Sequence, residues 1–97
     1  MFKITEGKGF QMTFENGWTV SVQFGPHNYC ENRKFILNED ENKNQSLSSK
    51  DAEIAAWDEK GNWYQFENDT VNGWASANEV AKFINLISKF DKLKTFM

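Results

Sequence analysis

The sequence predicts a small α+β fold: an antiparallel β-sheet built from two β-hairpins, with one C-terminal α-helix packed on one face. Three observations carry this. Over residues 10–24 apolar and polar residues alternate on both sides of Asn16 and Gly17, the same pattern recurs over residues 52–66, and Ser76 opens a capping box followed by an apolar stripe at spacings of three and four. A chain of 97 residues fits one domain, residues 1–97, and leaves little room for a second.

Taken in order, Phe2 to Thr5 reads as a short edge strand. Phe10, Met12 and Phe14 then alternate with polar residues, as do Trp18, Val20, Val22 and Phe24. A two-residue turn at Asn16 and Gly17 would send these two apolar sets to opposite faces, because a one-residue change of register flips every side chain. A loop of Glu15, Asn16 and Gly17, with Gly17 at positive φ, instead pairs Phe14 with Trp18 and Met12 with Val20, so that all seven share a face. Phe35 to Leu37 could form a short strand. Asn38 to Asp51 has Leu47 as its lone apolar residue and reads as a long polar, mobile loop.

The second hairpin, with a loop of Glu59, Lys60 and Gly61, pairs Asp58 with Asn62, Ala56 with Tyr64 and Ile54 with Phe66. That register sets Trp57 beside Trp63 on the side of the sheet away from the core. Asn72 and Gly73 read as turn chemistry. Ser76 and Glu79 form the capping box, a helix begins near Ala77, and Val80, Phe83, Ile84, Ile87 and Phe90 make its buried stripe. Lys89, Lys92 and Lys94 stand where cations complement the negative end of the helix dipole.

Composition narrows the function. Hydrophobic residues are 39% and aromatic residues 15% of the chain, too many for a disordered polar segment. A formal charge of -3 supplies neither the basic field that attracts phosphate backbones nor a dense acidic surface, so nucleic acid is not the expected partner. No stretch has the length or apolarity of a signal peptide or a membrane span, and the lone cysteine suits a reducing cytoplasm, so a soluble cytoplasmic protein with no membrane partner is expected.

No catalytic signature of any specificity is present. The stretch from Phe24 to Arg33 gathers the chain's one proline, one histidine and one cysteine at Pro26, His27 and Cys30. A Cys30 nucleophile with His27 as base lacks a third group to orient the imidazole, and a small buried apolar role for Cys30 fits better. A structural zinc site needs more nitrogen and sulfur ligands than one histidine and one cysteine supply. Carboxylates such as Glu39 and Asp40, or Asp58 and Glu59, fall in polar loops, and Gly7 and Gly9 precede a strand rather than a helix, which excludes a phosphate cradle. The expectation is a non-enzymatic protein with no catalytic residues, no metal and no cofactor.

Binding is what remains, and tryptophan is the informative residue. Trp18, and with it Trp74, is assigned to the edge of the core. Trp57 and Trp63 form either an exposed contact patch or a covered second layer. His27, Tyr29 and Arg33 are presented by the loop after Phe24, with Cys30 beneath them. The candidate binding residues are therefore His27, Tyr29, Arg33, Trp57, Trp63 and Trp74.

The runs GKGFQMTFENGWTVSVQFGPHNYCENR, AEIAAWDEKGNWYQF and NGWASANEVAKFINLI, which together span Gly7 to about Ile87 without the polar insert, resemble a family of small accessory proteins of tailed bacteriophages, T-even-like phages among them. The resemblance implies no activity or catalytic residue. It implies a setting, the bacterial cytoplasm, and a partner, a host protein that is bound and redirected or blocked, with a defence component among the candidates. The alternative expectation is a small-molecule or nucleotide-sequestering protein with a pocket between the His27 to Arg33 loop and the Thr70 to Ala75 turn.

Overall fold

The computed structural model describes residues 1–5, 8–25, 28–34 and 48–90. Five strands, β1 (Phe2–Ile4), β2 (Gly9–Thr13), β3 (Thr19–Gln23), β4 (Asp51–Trp57) and β5 (Asn72–Ser76), form one antiparallel sheet in sequence order, and the helix α1 (Ala77–Ser88) follows β5 directly. A 3-10 turn, Glu31–Lys34, lies between β3 and β4. Residues 35–47, which include the expected strand at Phe35 to Leu37 and most of the expected polar loop, fall outside the described residues.

The β2–β3 hairpin has the expected register. Met12 faces Val20, the Phe14 N–H donates to the Trp18 carbonyl at 2.9 Å, and Gly17 takes φ 90°, which a residue without Cβ adopts at no steric cost. Trp18, Val20 and Val22 are buried, and Phe10, Phe14 and Phe24 pack against them. Across the sheet Val20 meets Ala56 and Val22 meets Ile54, so the core face continues into β4 through Ala52, Ile54 and Ala56.

Helix α1 begins as expected. The Ser76 hydroxyl accepts from the Glu79 N–H, and the Glu79 carboxylate accepts from the Ser76 N–H at 2.8 Å. Phe83 and Ile87 are buried over β3, β4 and β5, with Val80, Ile84 and Phe90 packed at the margin. Tyr64, Phe66 and Phe83 meet edge to face or tilted at 5.0 to 5.3 Å, and Phe90 stands edge-on to Trp18 at 5.1 Å. The helix ends at Ser88 with no cation in its last turn, so Lys89 stands at the C-cap rather than inside the helix, and Lys92 and Lys94 fall outside the described residues. Asn16 serves the helix end instead: its amide nitrogen donates to the Ile87 and Phe90 carbonyls, each at 2.9 Å, while its oxygen accepts from the Trp18 N–H.

Three expectations are corrected. The second hairpin forms at its turn, where the Asp58 N–H donates to Asn62 and Trp57 bridges Trp63, but its return arm leaves β4 after Tyr64. Ile54 therefore faces Asn72 of β5 rather than Phe66, because the Phe66 N–H turns back to the Asp69 carbonyl and the polar run Glu67 to Asp69 offers nothing to bury. Asn72 and Gly73 accordingly belong to a strand and not to a turn. Finally, the polar segment stops short of Asp51, which opens β4: the Lys50 N–H donates to Glu31, the Glu31 N–H to Asp51, and the Asn32 amide to the Ser48 carbonyl.

Asn16 ties the hairpin to the helix, so its replacement is expected to cost more than a surface substitution. Asn16→Ala takes one donor from the Ile87 carbonyl, which keeps the Phe90 N–H, and removes the Asn16 bonds to the Phe90 carbonyl and the Trp18 N–H; it should destabilise by about 1–3 kcal/mol. Asn16→Asp keeps the acceptor but sets a carboxylate against the negative end of α1, and urea unfolding should show it to be at least as destabilised as the alanine variant.

Candidate aromatic binding face

The helix covers one face of the sheet, and residues that alternate with the core positions form the other. In β4 these are Glu53, Ala55 and Trp57; across the sheet from them lie Gln23, Ser21 and Thr19 of β3. Ser21 and Ala55 are small and lie buried between taller neighbours, and no described helix or strand covers them. The result is a low floor with an aromatic pair at each end of β4.

Trp57 and Trp63 make the first pair, with ring centroids 4.8 Å apart and planes tilted by 39°. Trp57 is half-buried and Trp63 is 48% exposed. Asp58 builds the loop that carries Trp63 back. One carboxylate oxygen accepts the N–H groups of Lys60 and Asn62, the other accepts the Asn62 amide, and Gly61 takes φ 89°. Asp58 is only 4% exposed; burial opposes its charge, but the backbone and side-chain donors of Asn62 and the Lys60 N–H outweigh that and hold its pKa below the ordinary carboxylate value.

The second pair is Tyr29 and Trp74, stacked at 5.6 Å with 29° between planes. Their meeting place is made by a bulge. Ala75 faces Ala52 and Asn72 faces Ile54, so Gly73 and Trp74 together oppose the single residue Glu53. Glu53 in turn latches the loop: its carboxylate accepts the Tyr29 N–H at 3.0 Å and the Asn28 amide at 3.4 Å. The Tyr29 carbonyl accepts the Trp74 N–H at 2.7 Å, which ties the loop to the bulge in β5. Gly73 is required here for space, since a Cβ would lie 2.5 Å from the Tyr29 Cβ. Trp74 has φ 52°, a left-handed conformation that costs a bulky residue on the order of 1 kcal/mol or more, and its side chain is 57% exposed. Its assignment to the core edge is thereby corrected, whereas Trp18 is buried there as expected. Glu53 to Trp57 is four residues of strand, so the two aromatic pairs stand about 13 Å apart along the sheet.

Of the other candidate residues, His27 lies outside the described residues, and Arg33 falls in the 3-10 turn with its side chain outside them. Cys30 is buried, 2% exposed, and donates to the Gly25 carbonyl at 3.6 Å. Burial pushes its thiol pKa up, which keeps it protonated and a poor nucleophile at neutral pH. Among the described residues no cluster of three or more histidine, cysteine or acidic side chains could hold a metal, and no helix is long and apolar enough to cross a membrane.

On the helix side a cavity of about 320 Å3 opens between the first turns of α1 and the sheet, walled by Phe10, Val22, Phe24, Val80 and Ile84, with Lys50 at its rim. Glu53 and Gly73 are the two site residues that sequence patterning passed over. Glu53 looks like any outward strand carboxylate, and Gly73 like half of a turn. Comparison with protein-family models, curated proteins and solved structures found no match for the chain.

Two outcomes follow from this geometry. Gly73→Ala should displace Tyr29 and remove the Tyr29–Trp74 signal from near-ultraviolet circular dichroism, with a destabilisation of about 1–3 kcal/mol. Because the folded pKa of Asp58 is depressed, its contribution is complete above the unfolded value of about 4 and is lost as pH falls through the folded value. Asp58→Asn should therefore lower stability at pH 7 and flatten the loss of stability between about pH 5 and pH 2, read from unfolding midpoints across that range.

Proposed function

We propose that the protein is a binding protein whose open sheet face docks a protein partner through Trp63, Trp74 and Tyr29, with Trp57 as the anchor beneath Trp63. One observation carries this: Trp74 is kept exposed, in a left-handed backbone conformation, and stacked on a loop tyrosine that Glu53 holds in place. A fold that needed only stability would place a glycine at that bulge position. Strain retained at an exposed aromatic supports recognition, because tryptophan and tyrosine lose little conformational freedom on binding and bury large areas. The two aromatic pairs flank a floor of small residues, which suits a partner's protruding side chains. On the resemblance to accessory proteins of tailed phages, the partner is a protein of the bacterial host cell, and the contact redirects or blocks it. Catalysis has no role in this proposal.

Affinity purification from producing bacterial cells, with Trp63→Ala and Trp74→Gly run beside the unchanged protein, tests it. The glycine variant removes a ring while easing the backbone, so its fold is retained. The unchanged protein should recover a near-stoichiometric partner, and each variant should bind that partner about ten- to thirtyfold more weakly. Recovery of no stoichiometric partner, or equal binding by all three proteins, would sink the proposal.

The cavity beneath α1 favours a second function, sequestration of a small molecule. Its volume falls in the range of ligand sites, and its apolar wall suits an alkyl chain or small aromatic ring better than a nucleotide phosphate. A saturable rise in melting temperature with decanoate would support it, and no rise with decanoate, indole or nucleotides would remove it.

A further inference from the structure

The edge strand β1 carries a second interaction surface, independent of the aromatic face. The Met1 amino group donates to the Thr13 carbonyl at 3.0 Å, the Thr13 N–H donates back to Met1 at 2.9 Å, and the Thr5 N–H donates to Gly9 at 3.0 Å. Hydrogen-bonded pairs alternate with unbonded ones in an antiparallel ladder, so Lys3 and Gln11 form the next bonded pair, while Phe2 with Met12 and Ile4 with Phe10 are the unbonded ones. The N–H and C=O groups of Phe2 and Ile4 therefore point away from β2, toward an edge that no other described strand pairs. These two side chains stand on the helix-facing side of the sheet, beyond the reach of α1, and are 70% and 79% exposed. Such an edge presents four backbone groups and two apolar side chains in a row, which is the template that an added strand uses.

Lys3 decides what can use it. Pairing of two copies that engages both Phe2 and Ile4 sets Phe2 against Ile4 of the second copy and Lys3 against Lys3. That central pair is of the unbonded kind, in which the side chains approach most closely, so the two ammonium groups repel at short range. Lysine in an edge strand is a known guard against self-pairing for this reason. The same geometry favours a segment with the opposite sign at its centre: an acidic residue facing Lys3 on the open face, flanked by two apolar residues facing Phe2 and Ile4 on the other.

We propose that β1 accepts an extended segment of a partner protein with the pattern apolar, acidic, apolar, which adds a sixth strand to the sheet. The four outward backbone groups supply the hydrogen bonds, Phe2 and Ile4 the apolar contact, and Lys3 the selection for charge. The surface is distinct from the aromatic face, and one partner could engage either without the other.

The test uses two blocked pentapeptides, Thr-Val-Glu-Val-Thr and Thr-Val-Lys-Val-Thr, titrated into the labelled full chain and followed by amide chemical shifts. The acidic peptide should bind about two- to fivefold more tightly than the basic one, with the largest shifts at Phe2, Lys3 and Ile4. Lys3→Glu should invert that order. Ile4→Pro should weaken both peptides and leave the β1–β2 ladder in place, because the N–H it removes faces outward. Equal binding of the two peptides, an unchanged order in Lys3→Glu, shifts centred elsewhere, or a dimer of the unchanged chain in sedimentation equilibrium would each overturn the proposal.

Discussion

The side chain of Asn16 is the constraint on which the two halves of this fold depend. Its oxygen accepts the Trp18 N–H and so closes the loop that fixes the β2–β3 register, while its nitrogen serves two carbonyls at the end of α1. One amide thus satisfies groups that lie 71 and 74 residues away in sequence. The register decides that Trp18 faces the helix, and Trp18 then meets Phe90 just past the helix end. A one-residue slip would turn Trp18 and Val20 to the open face, and Asn16 could no longer reach the helix. Hairpin register, helix position and core composition are therefore set together.

Coverage of the sheet is uneven, and that unevenness determines where a partner could bind. Helix α1 packs on β3, β4 and β5, whereas Phe2 and Ile4 of β1 are exposed on the same face. At the other edge, the loop at Tyr29 meets β5 at one residue, its carbonyl taking the Trp74 N–H. A bulge and a loop contact both blunt an edge, and β5 has them; among the described residues β1 is guarded by its shortness and a lysine. The open face is not bare either, since Ser21 and Ala55 disappear between Trp57 and its neighbours. Lys3 and Thr13 are exposed on that face, and the aromatic rings stand at two sites on it.

Much of this was legible because it is local or periodic. The β2–β3 register follows from requiring seven apolar residues to share a face, the helix start from Ser76 and Glu79, and the juxtaposition of Trp57 with Trp63 from the Asp58 to Asn62 loop. The rest needed tertiary contacts. Asn16 reads as a turn residue, and nothing near it in sequence shows that it also caps a distant helix. β5 is hidden in the sequence because its bulge breaks alternation: Gly73 and Trp74 share one opposing residue, so the strand has no period of two. Symmetric extension of the hairpin arm sets Phe66 opposite Ile54, whereas the chain turns at Asp69 and sends Phe66 toward Phe83. Of the candidate site, the identity of Tyr29, Trp57, Trp63 and Trp74 came from residue type and position, but their grouping on one face required Glu53, a carboxylate with no distinguishing pattern.

The two aromatic pairs reach their positions by different means, and the difference bears on how they would recognise a partner. Trp57 belongs to a central strand and Trp63 to a loop whose amides Asp58 has already satisfied, so that pair is ordered before any partner arrives. Ordering in advance lowers the entropy lost on binding and gives a rigid anchor. The contacts that hold Tyr29 and Trp74 include the Glu53 carboxylate, a backbone bond and their stack, against the left-handed strain at Trp74. Several contacts therefore oppose one strained residue, and a partner that pulled Trp74 away would have to break the stack and the Trp74 N–H bond before the strain was released. Both pairs are thus set before a partner arrives, about 13 Å apart, one ordered by a central strand and a satisfied loop, the other by a carboxylate latch and a stack.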